Sequence, residues 1–160
     1  MSEAQEVQRQ YALQRIYLKD VSFESPRAPH IFLNPEWQPN INVQVENHSQ
    51  QLGEGVFEVA LKITATASVD IEGKQETAFL AEVTHAGIFT IVGFEGAEMG
   101  HILGSICPTQ LFPFSRETVA DLVVKGGFPS LLLQPINFDA LYFQHLQQQQ
   151  AEAPAPSTIQ

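Results

Sequence analysis

Apolar and polar residues alternate along two long stretches in the middle of the chain. From Phe57 to Ala67 every second residue is apolar, and most positions between them carry Glu, Lys or Thr. The stretch 76–91 continues the pattern, with Phe79 on one side and Glu82 on the other. Because side chains alternate between the two faces of a strand, this period predicts two half-buried strands. The charged segment 70–75, which contains a glycine, predicts a hairpin turn between them.

Two further strands are predicted before this hairpin. Residues 13–24 are rich in β-branched and aromatic side chains but do not alternate cleanly, which suggests that both faces of the strand are partly covered. Residues 41–46 alternate well, and 47–55 is typical of a polar turn. Four consecutive strands with no helix between them predict an antiparallel sheet.

The pattern changes to helices after Gly93. Residues 97–107 predict a short helix that Pro108 stops, and 111–125 predict a second helix that Gly126 and Gly127 end. Pro113 is expected in the first turn of that helix. A last helix is expected to begin near Asn137 as N-cap. Strands followed by helices predict an α+β fold, with a four-stranded antiparallel sheet and helices packed on one face.

The segment between the first two strands, 23–39, is the most unusual part of the chain. It contains three aromatic residues, the only tryptophan among them, and four prolines. Proline excludes a central strand or a helix interior, and a loop of this length is usually functional or disordered. Disordered linkers lack aromatic residues, so we expect an ordered loop that presents apolar surface to other chains.

Composition and charge narrow the classes of function. The 160 residues contain 44% hydrophobic residues, enough for one domain with an ordinary core. The net charge of −10, from 18 acidic and 8 basic residues, argues against nucleic acid and anionic membranes as partners. This negative charge fits a protein that binds a basic partner, or it serves only to keep the protein soluble.

The ends of the chain and its single cysteine suggest a cytoplasmic protein. Residues 1–10 and 151–160 predict a disordered arm and a disordered tail around a domain of residues 11–150. The N-terminal segment lacks the apolar run of a signal peptide, and no apolar run reaches the roughly 18 residues that span a bilayer. Cys107 excludes an intramolecular disulfide and fits a reducing compartment.

No catalytic motif is present. The chain has no G-x-S-x-G, P-loop or H-E-x-x-H sequence, and its five histidines lack ligand spacing. Cys107 and His101 could in principle form a nucleophile and base, but their spacing and Pro108 favour a buried structural thiol. We therefore expect no enzymatic activity, no metal and no cofactor.

Aromatic residues outside the regular strands are the remaining candidates for a function. Six of them lie in the first loop, at a predicted helix start, in a connector and in the last helix: Phe32, Trp37, Phe112, Phe114, Phe128 and Phe138. They either close the core where loops cross it, or line a groove that binds apolar segments through area and stacking. Composition does not decide between the two.

Six collinear blocks of the chain resemble SecB, the bacterial protein-export chaperone. They are RIYLKDVSFESPRAPHIF (15–32), WQP (37–39), ETAFLAEV (76–83), GIFTIVGFEG (87–96), LFPFSRE (111–117) and GFPSLLLQPINFDALY (127–142). The resemblance covers residues 11–150. It implies a cytosolic homotetramer, a dimer of dimers, that holds unfolded precursor proteins without ATP and delivers them to the motor ATPase SecA.

The resemblance also implies two sets of site residues. Unfolded clients would bind a groove lined by the six aromatic residues named above. SecA would dock on the acidic outer face of the sheet, at Asp20, Glu24, Leu80 and Glu82. In the family the C-terminal tail also contacts SecA, but here residues 151–160 carry a single acid, Glu152, so we transfer that role only loosely.

Two other functions stay open on the sequence. The groove could belong to an interaction module that takes one specific peptide. A small-ligand protein or enzyme would instead need convergent polar groups in a closed pocket, and we find none.

Overall fold

The computed structural model describes residues 8–152. The predicted disordered arm and tail lie outside these residues over 1–7 and 153–160. Within the described part, the first strand, β1 (Gln10–Glu24), already begins at residue 10. The last helix, α3 (Phe138–Glu152), continues through residue 152.

The four strands form one antiparallel sheet in the order β1-β4-β3-β2, as the alternation predicts. β2 spans Asn40–Gly53, β3 Val56–Ile71 and β4 Lys74–Val92. The β3–β4 turn is at Glu72 and Gly73, whose φ angles of 52° and 84° are typical of a tight hairpin turn. The predicted polar turn over 47–55 is wrong for most of its length, because β2 continues to Gly53. Polar side chains are tolerated there since β2 is an edge strand that pairs only with β3.

One face of the sheet carries the core. The apolar positions of β3 from Val59 to Val69 are buried, as are Phe79, Val83 and Phe89 of β4. The helices cover this face, and α2 (Cys107–Lys125) lies on β3 and β4. Directly paired residues of neighbouring strands share a face, and the even-numbered positions of β4 from Leu80 to Thr90 define the opposite, outer face.

β1 lacks clean alternation because its pairing with β4 is interrupted twice. The register shifts between Leu13 and Arg15 and again between Leu18 and Asp20. Each extra residue moves the following side chains to the other face, so the sequence cannot keep a period of two. These bulges, rather than coverage of both faces, account for the irregular pattern.

The prediction that Pro108 stops a helix is wrong. α1 (Gly96–His101) continues through a π-helical turn (Ile102–Ile106) directly into α2. The Cys107 N–H donates to the Ile102 carbonyl, one residue farther back than in an α-helix. Pro108 then falls in the first turn of α2, directly after the wider π-helical turn, and the helix continues past it without a backbone N–H at that position. Pro113, expected in a first turn, instead lies inside α2.

The expected N-cap of α3 is confirmed. The Asn137 side-chain oxygen accepts a 3.0 Å hydrogen bond from the Ala140 N–H. Between α2 and α3 the chain has no regular structure. The first loop contains only a short 3₁₀ helix (His30–Leu33). None of the helices in residues 8–152 combines the length and apolar character needed to cross a bilayer.

Candidate functional site

Phe128 is the centre of an aromatic cluster that joins the first loop to the end of α2. Its ring centroid lies 5.1 Å from Phe32, 5.3 Å from Trp37 and 5.1 Å from Phe79. Phe23 of β1 stacks on Phe79 at 5.8 Å. These separations and the tilted ring planes are the arrangement that aromatic pairs prefer. The aromatic cluster therefore orders the proline-rich loop, as the sequence predicts.

Gly126 and Gly127 make the close approach of two rings possible. A Cβ on Gly126 would overlap the ring of Phe23, and one on Gly127 would lie 3.2 Å from the ring of Phe32. Gly127 also has a φ of 91°, which ends the helix. The pair was expected only as a helix stop, and its second role depends on residues about a hundred positions away.

The aromatic cluster borders a cavity of about 130 Å³. Phe32, Trp37, Val69, Phe128 and Pro129 are among the residues that line it. The side chain of Phe32 is 48% exposed, whereas Phe128 is 6% exposed. Phe32 thus packs over the buried ring of Phe128 while its own side chain stays half-exposed.

The remaining expected groove residues lie elsewhere. Phe112 and Phe138 pack edge to face at 5.9 Å, both buried, and connect α2 with the start of α3. Phe114 is half-exposed on α2, with its ring 6.4 Å from that of His85. The fold therefore brings together Phe32, Trp37 and Phe128, but separates them from the Phe112–Phe138 pair and from Phe114.

A larger groove of about 580 Å³ separates β2 from α3. Val45 and Asn47 line it on the strand side, and Leu141 and Tyr142 on the helix side. The sequence pattern places these residues on a strand and on a helix face but does not bring them together. The weak signal for the groove was apolar side chains in two elements that otherwise look exposed and polar.

The four residues expected on the outer face do share it. Glu24 pairs directly with Leu80, and Ser22 pairs with Glu82. Asp20 pairs with Thr84, which lies on the same outer face of the sheet. Across residues 8–152, the carboxylates of Asp20, Glu24 and Glu82 have no ion-pair partner. The result is an acidic surface with a leucine inside it.

A second polar cluster on the outer face was not predicted. Glu58 of β3, 8% exposed, receives hydrogen bonds from Lys19 Nζ at 2.8 Å, from Gln50 Nε2 at 3.0 Å and from the Tyr17 hydroxyl. The bond from Lys19, followed by that from Tyr17, lowers the pKa of Glu58. Burial, with the bond to Glu58, raises the pKa of Tyr17 to about 12. No local pattern reveals this cluster because its members come from β1, β2 and β3.

The possible nucleophile and base do not meet. Burial raises the pKa of the fully buried Cys107 to about 12, so the thiol stays protonated. His101 Nε2 lies 2.7 Å from Asp139 Oδ1 instead. In residues 8–152, no group of three His, Cys, Asp or Glu side chains is placed to hold a metal ion.

Comparison with known proteins gives consistent matches along the chain. A family model described as preprotein translocase subunit SecB matches residues 4–149. The protein-export protein SecB of Methylococcus capsulatus is 51% identical over 156 residues, which cover 96% of this chain and 97% of that protein. The protein of the same name from Nitrosococcus oceani is 53% identical over 149 residues, covering 92% and 88%.

A solved structure is similar in fold. It is a SecB-like chaperone of Mycobacterium tuberculosis in complex with a ChAD peptide from an antitoxin. The TM-score is 0.64 at 17% identity, over 79% of this chain and 90% of that one.

Proposed function

The chain belongs to the SecB family of protein-export chaperones, and we propose that it acts in the cytoplasm as an ATP-independent holding chaperone. It binds unfolded precursor proteins, keeps them competent for translocation and delivers them to the motor ATPase SecA. No catalytic step is part of this role. Energy for release and transport comes from SecA.

The half-exposed Phe32 over the buried ring of Phe128 is the observation that carries the client-binding part. Trp37 and the adjacent cavity extend this aromatic surface. Folded domains bury their apolar segments, whereas unfolded precursors expose them, so such a surface selects unfolded chains without reading one sequence. Sequestering them removes them from the folding equilibrium by mass action.

The groove between β2 and α3 lengthens the client site. Trp37 lies three residues before the start of β2, and Val45 lies midway along that strand, so both border the same edge of the sheet. An extended client alongside this edge would span roughly 25 Å between them, at about 3.3 Å per residue. Several weak contacts along one client then combine through effective concentration.

The acidic outer face is the proposed docking site for SecA. Asp20, Glu24 and Glu82 present unpaired carboxylates around Leu80, on the side of the sheet away from the client groove. Complementary charge gives fast, salt-sensitive association, and the leucine adds apolar contact. Client and SecA can therefore be held at the same time.

A homotetramer, a dimer of dimers, is the proposed assembly. β1 and β2 are both open sheet edges within a single chain. Apolar side chains of β1 and α2 are exposed, including Leu18 at 48%, Val21 at 40%, Phe114 at 48% and Val124 at 54%. Burying them between copies removes this apolar surface from water and joins the client grooves of neighbouring chains. Native mass spectrometry tests the assembly directly.

A refolding assay tests the function. A denatured, slowly folding precursor is diluted into buffer with and without the protein, and the return of native signal is followed. We expect strong retardation near one tetramer per precursor, without ATP, and no effect on precursor that is already folded. Absence of retardation and of a complex on size-exclusion chromatography would overturn the proposal. Tight binding of a single peptide sequence without general retardation would instead indicate a specific interaction module.

A further inference from the structure

α3 forms one wall of the large groove but is attached to the rest of the chain over a small area. Its main neighbour is the π-helical turn at 102–106. Beyond the buried Phe138, most of its side chains face solvent, including Leu141 at 43% and Phe143 at 53% exposure. Such a helix depends on a few specific contacts, because little apolar burial holds it in place.

Asp139, in the first turn of α3, makes the polar part of this attachment. Its Oδ1 atom accepts a hydrogen bond from the Ser105 hydroxyl and lies 2.7 Å from His101 Nε2. Ser105 is 3% exposed and sits in the π-helical turn. His101 precedes it by one helical turn, so both donors lie on one side of the helix. One carboxylate oxygen thus ties both α1 and the π-helical turn to the start of α3.

Tyr142 completes the contact one turn later. A Cβ on Gly100 would lie 2.6 Å from its hydroxyl oxygen, and one on Gly104 would lie 2.5 Å from its ring. The absence of side chains at both glycines therefore lets the ring rest on the helix backbone. The ring of His101 lies 5.8 Å from Tyr142 and 6.0 Å from Phe143.

The opposite wall of the groove is fixed independently of α3. The π-helical turn redirects the Cys107 N–H to Ile102 and leaves the Leu103 carbonyl without its usual helical donor. Asn47 of β2 supplies the missing donor through its side-chain amide at 2.9 Å. This contact joins β2 to the π-helical turn without involving α3, so a displacement of α3 would leave it intact.

The segment before α3 allows such a movement. Residues 129–137 contain no helix or strand and include Pro129 and Pro135. Leu133 is buried and anchors the middle of the segment, while Gln134, Pro135 and Asn137 are exposed. The short stretch after Leu133 is thus the place where α3 can pivot.

We propose that the hydrogen bonds of Asp139 with His101 and Ser105 form a latch that holds α3 closed over the groove and controls access to it. When the latch opens, α3 swings away from the π-helical turn and the groove widens, while β2 and α2 stay in place. The control of access rests on the proposed client-binding function, but the latch itself does not.

Hydrogen exchange of the whole protein measures the latch without any client. Asp139→Ala removes the acceptor, and His101→Leu with Ser105→Ala removes both donors while keeping the acid at the helix start. In both variants we expect amide exchange at 139–146 to become about tenfold faster, as for the loss of a hydrogen bond to a charged group. Exchange at 119–123 of α2 stays unchanged. Asp121→Ala, which breaks an exposed pair with Lys125 on α2, is the matched control and leaves α3 unchanged.

A reversible covalent lock measures access. Ser105→Cys with Asp139→Cys, in a Cys107→Ala background, places two thiols where the hydrogen-bonded side chains now meet. We expect binding of a fluorescent unfolded client to be several-fold slower than wild type when the pair is oxidised. After reduction, when both the lock and the latch are absent, binding becomes faster than wild type.

Three results overturn the latch or its role. Unchanged α3 exchange in both variants overturns the latch. Faster exchange in Asp139→Ala alone assigns the effect to the lost charge at the helix start. Faster exchange with unaltered client kinetics, in a protein that does bind clients, overturns control of access. If the wild-type protein binds no client, the proposed function is wrong. The hydrogen-exchange data then still test whether the latch exists.

Discussion

The ring of Phe32 lies 5.1 Å from that of Phe128, but the two differ sharply in exposure, at 48% and 6%. One ring belongs to a proline-rich loop and the other to the connector after α2. The contact ties the loop to the helical layer and leaves an aromatic surface open to solvent. Phe32 is therefore the residue through which client binding can be tested with least damage to the core.

Phe32→Ala should weaken client binding while leaving the fold intact. Loss of the exposed ring removes aromatic contact worth about 0.5–1.5 kcal/mol, so we expect affinity to fall roughly two- to twelvefold. Fluorescence anisotropy with an unfolded client measures this. Leu52→Ala is the matched control, because Leu52 is 51% exposed at the opposite end of β2. An equal loss in both variants would contradict a specific role for the aromatic cluster.

Charge reversal on the outer face should separate SecA docking from client binding. Glu24→Lys with Glu82→Lys replaces two unpaired carboxylates beside Leu80, so we expect SecA binding to be abolished and client binding retained. Surface plasmon resonance at two salt concentrations measures the first and anisotropy the second. Glu117→Lys, at an exposed position of α2, is the control with the same change in charge per site. Loss of both activities would indicate misfolding instead.

Gly126→Ala should destabilise the protein although the backbone there suits any residue. Its φ of −72° is ordinary, but the added Cβ would overlap the ring of Phe23. We expect the free energy of unfolding to fall by about 1–3 kcal/mol, as for other overpacked sites. Urea denaturation measures it. Gly53→Ala, where a Cβ meets nothing within 4 Å, should change stability little. Similar losses of stability at both positions would show that the contact with the Phe23 ring is not the cause.

Glu58→Gln should lower the free energy of unfolding because the carboxylate accepts three hydrogen bonds. The amide replaces one acceptor oxygen by a donor that faces Lys19 or Tyr17, and we expect a loss of about 1–3 kcal/mol. Because its pKa is lowered by folding, Glu58 contributes stability above its unfolded pKa, and that contribution is lost as pH falls through the folded pKa. Denaturation of both proteins from pH 7 downward should show their stabilities converging. Exposed Glu54→Gln is the control, and parallel curves would contradict the assignment.

His85 should make the fold less stable in mild acid. It is 7% exposed on the helix-covered face of β4, and burial lowers its pKa, although Glu117 acts in the opposite direction. The folded state then binds fewer protons than the unfolded state, so the free energy of unfolding falls as pH drops below about 6.5. We expect His85→Gln to reduce the difference in stability between pH 7.5 and pH 5.5. Exposed His48→Gln should leave that difference unchanged, and an unchanged difference in His85→Gln would refute the prediction.

Much of the architecture follows from local pattern. Alternation from Phe57 to Ala67 and from 76 to 91 is enough to predict the central hairpin and its buried face. Asn137 predicts the start of α3, since a side-chain cap acts within four residues. The wrong predictions concern places where distant partners intervene. Helix continuity past Pro108 needs a π-helical turn whose unpaired carbonyl is satisfied by Asn47, 56 residues before Leu103 in sequence.

The functional surfaces divide in the same way. The sequence by itself determined which residues could serve: aromatic side chains in a loop too rich in proline for regular structure, and acids alternating on strand positions. Only the tertiary structure decided their grouping. It joined Phe32, Trp37 and Phe128, buried Phe112 and Phe138 as a separate pair, and assembled Glu58 with donors from two other strands. Periodicity is a property of neighbouring residues, whereas a cluster depends on strand order and register, which are set by packing across the whole chain.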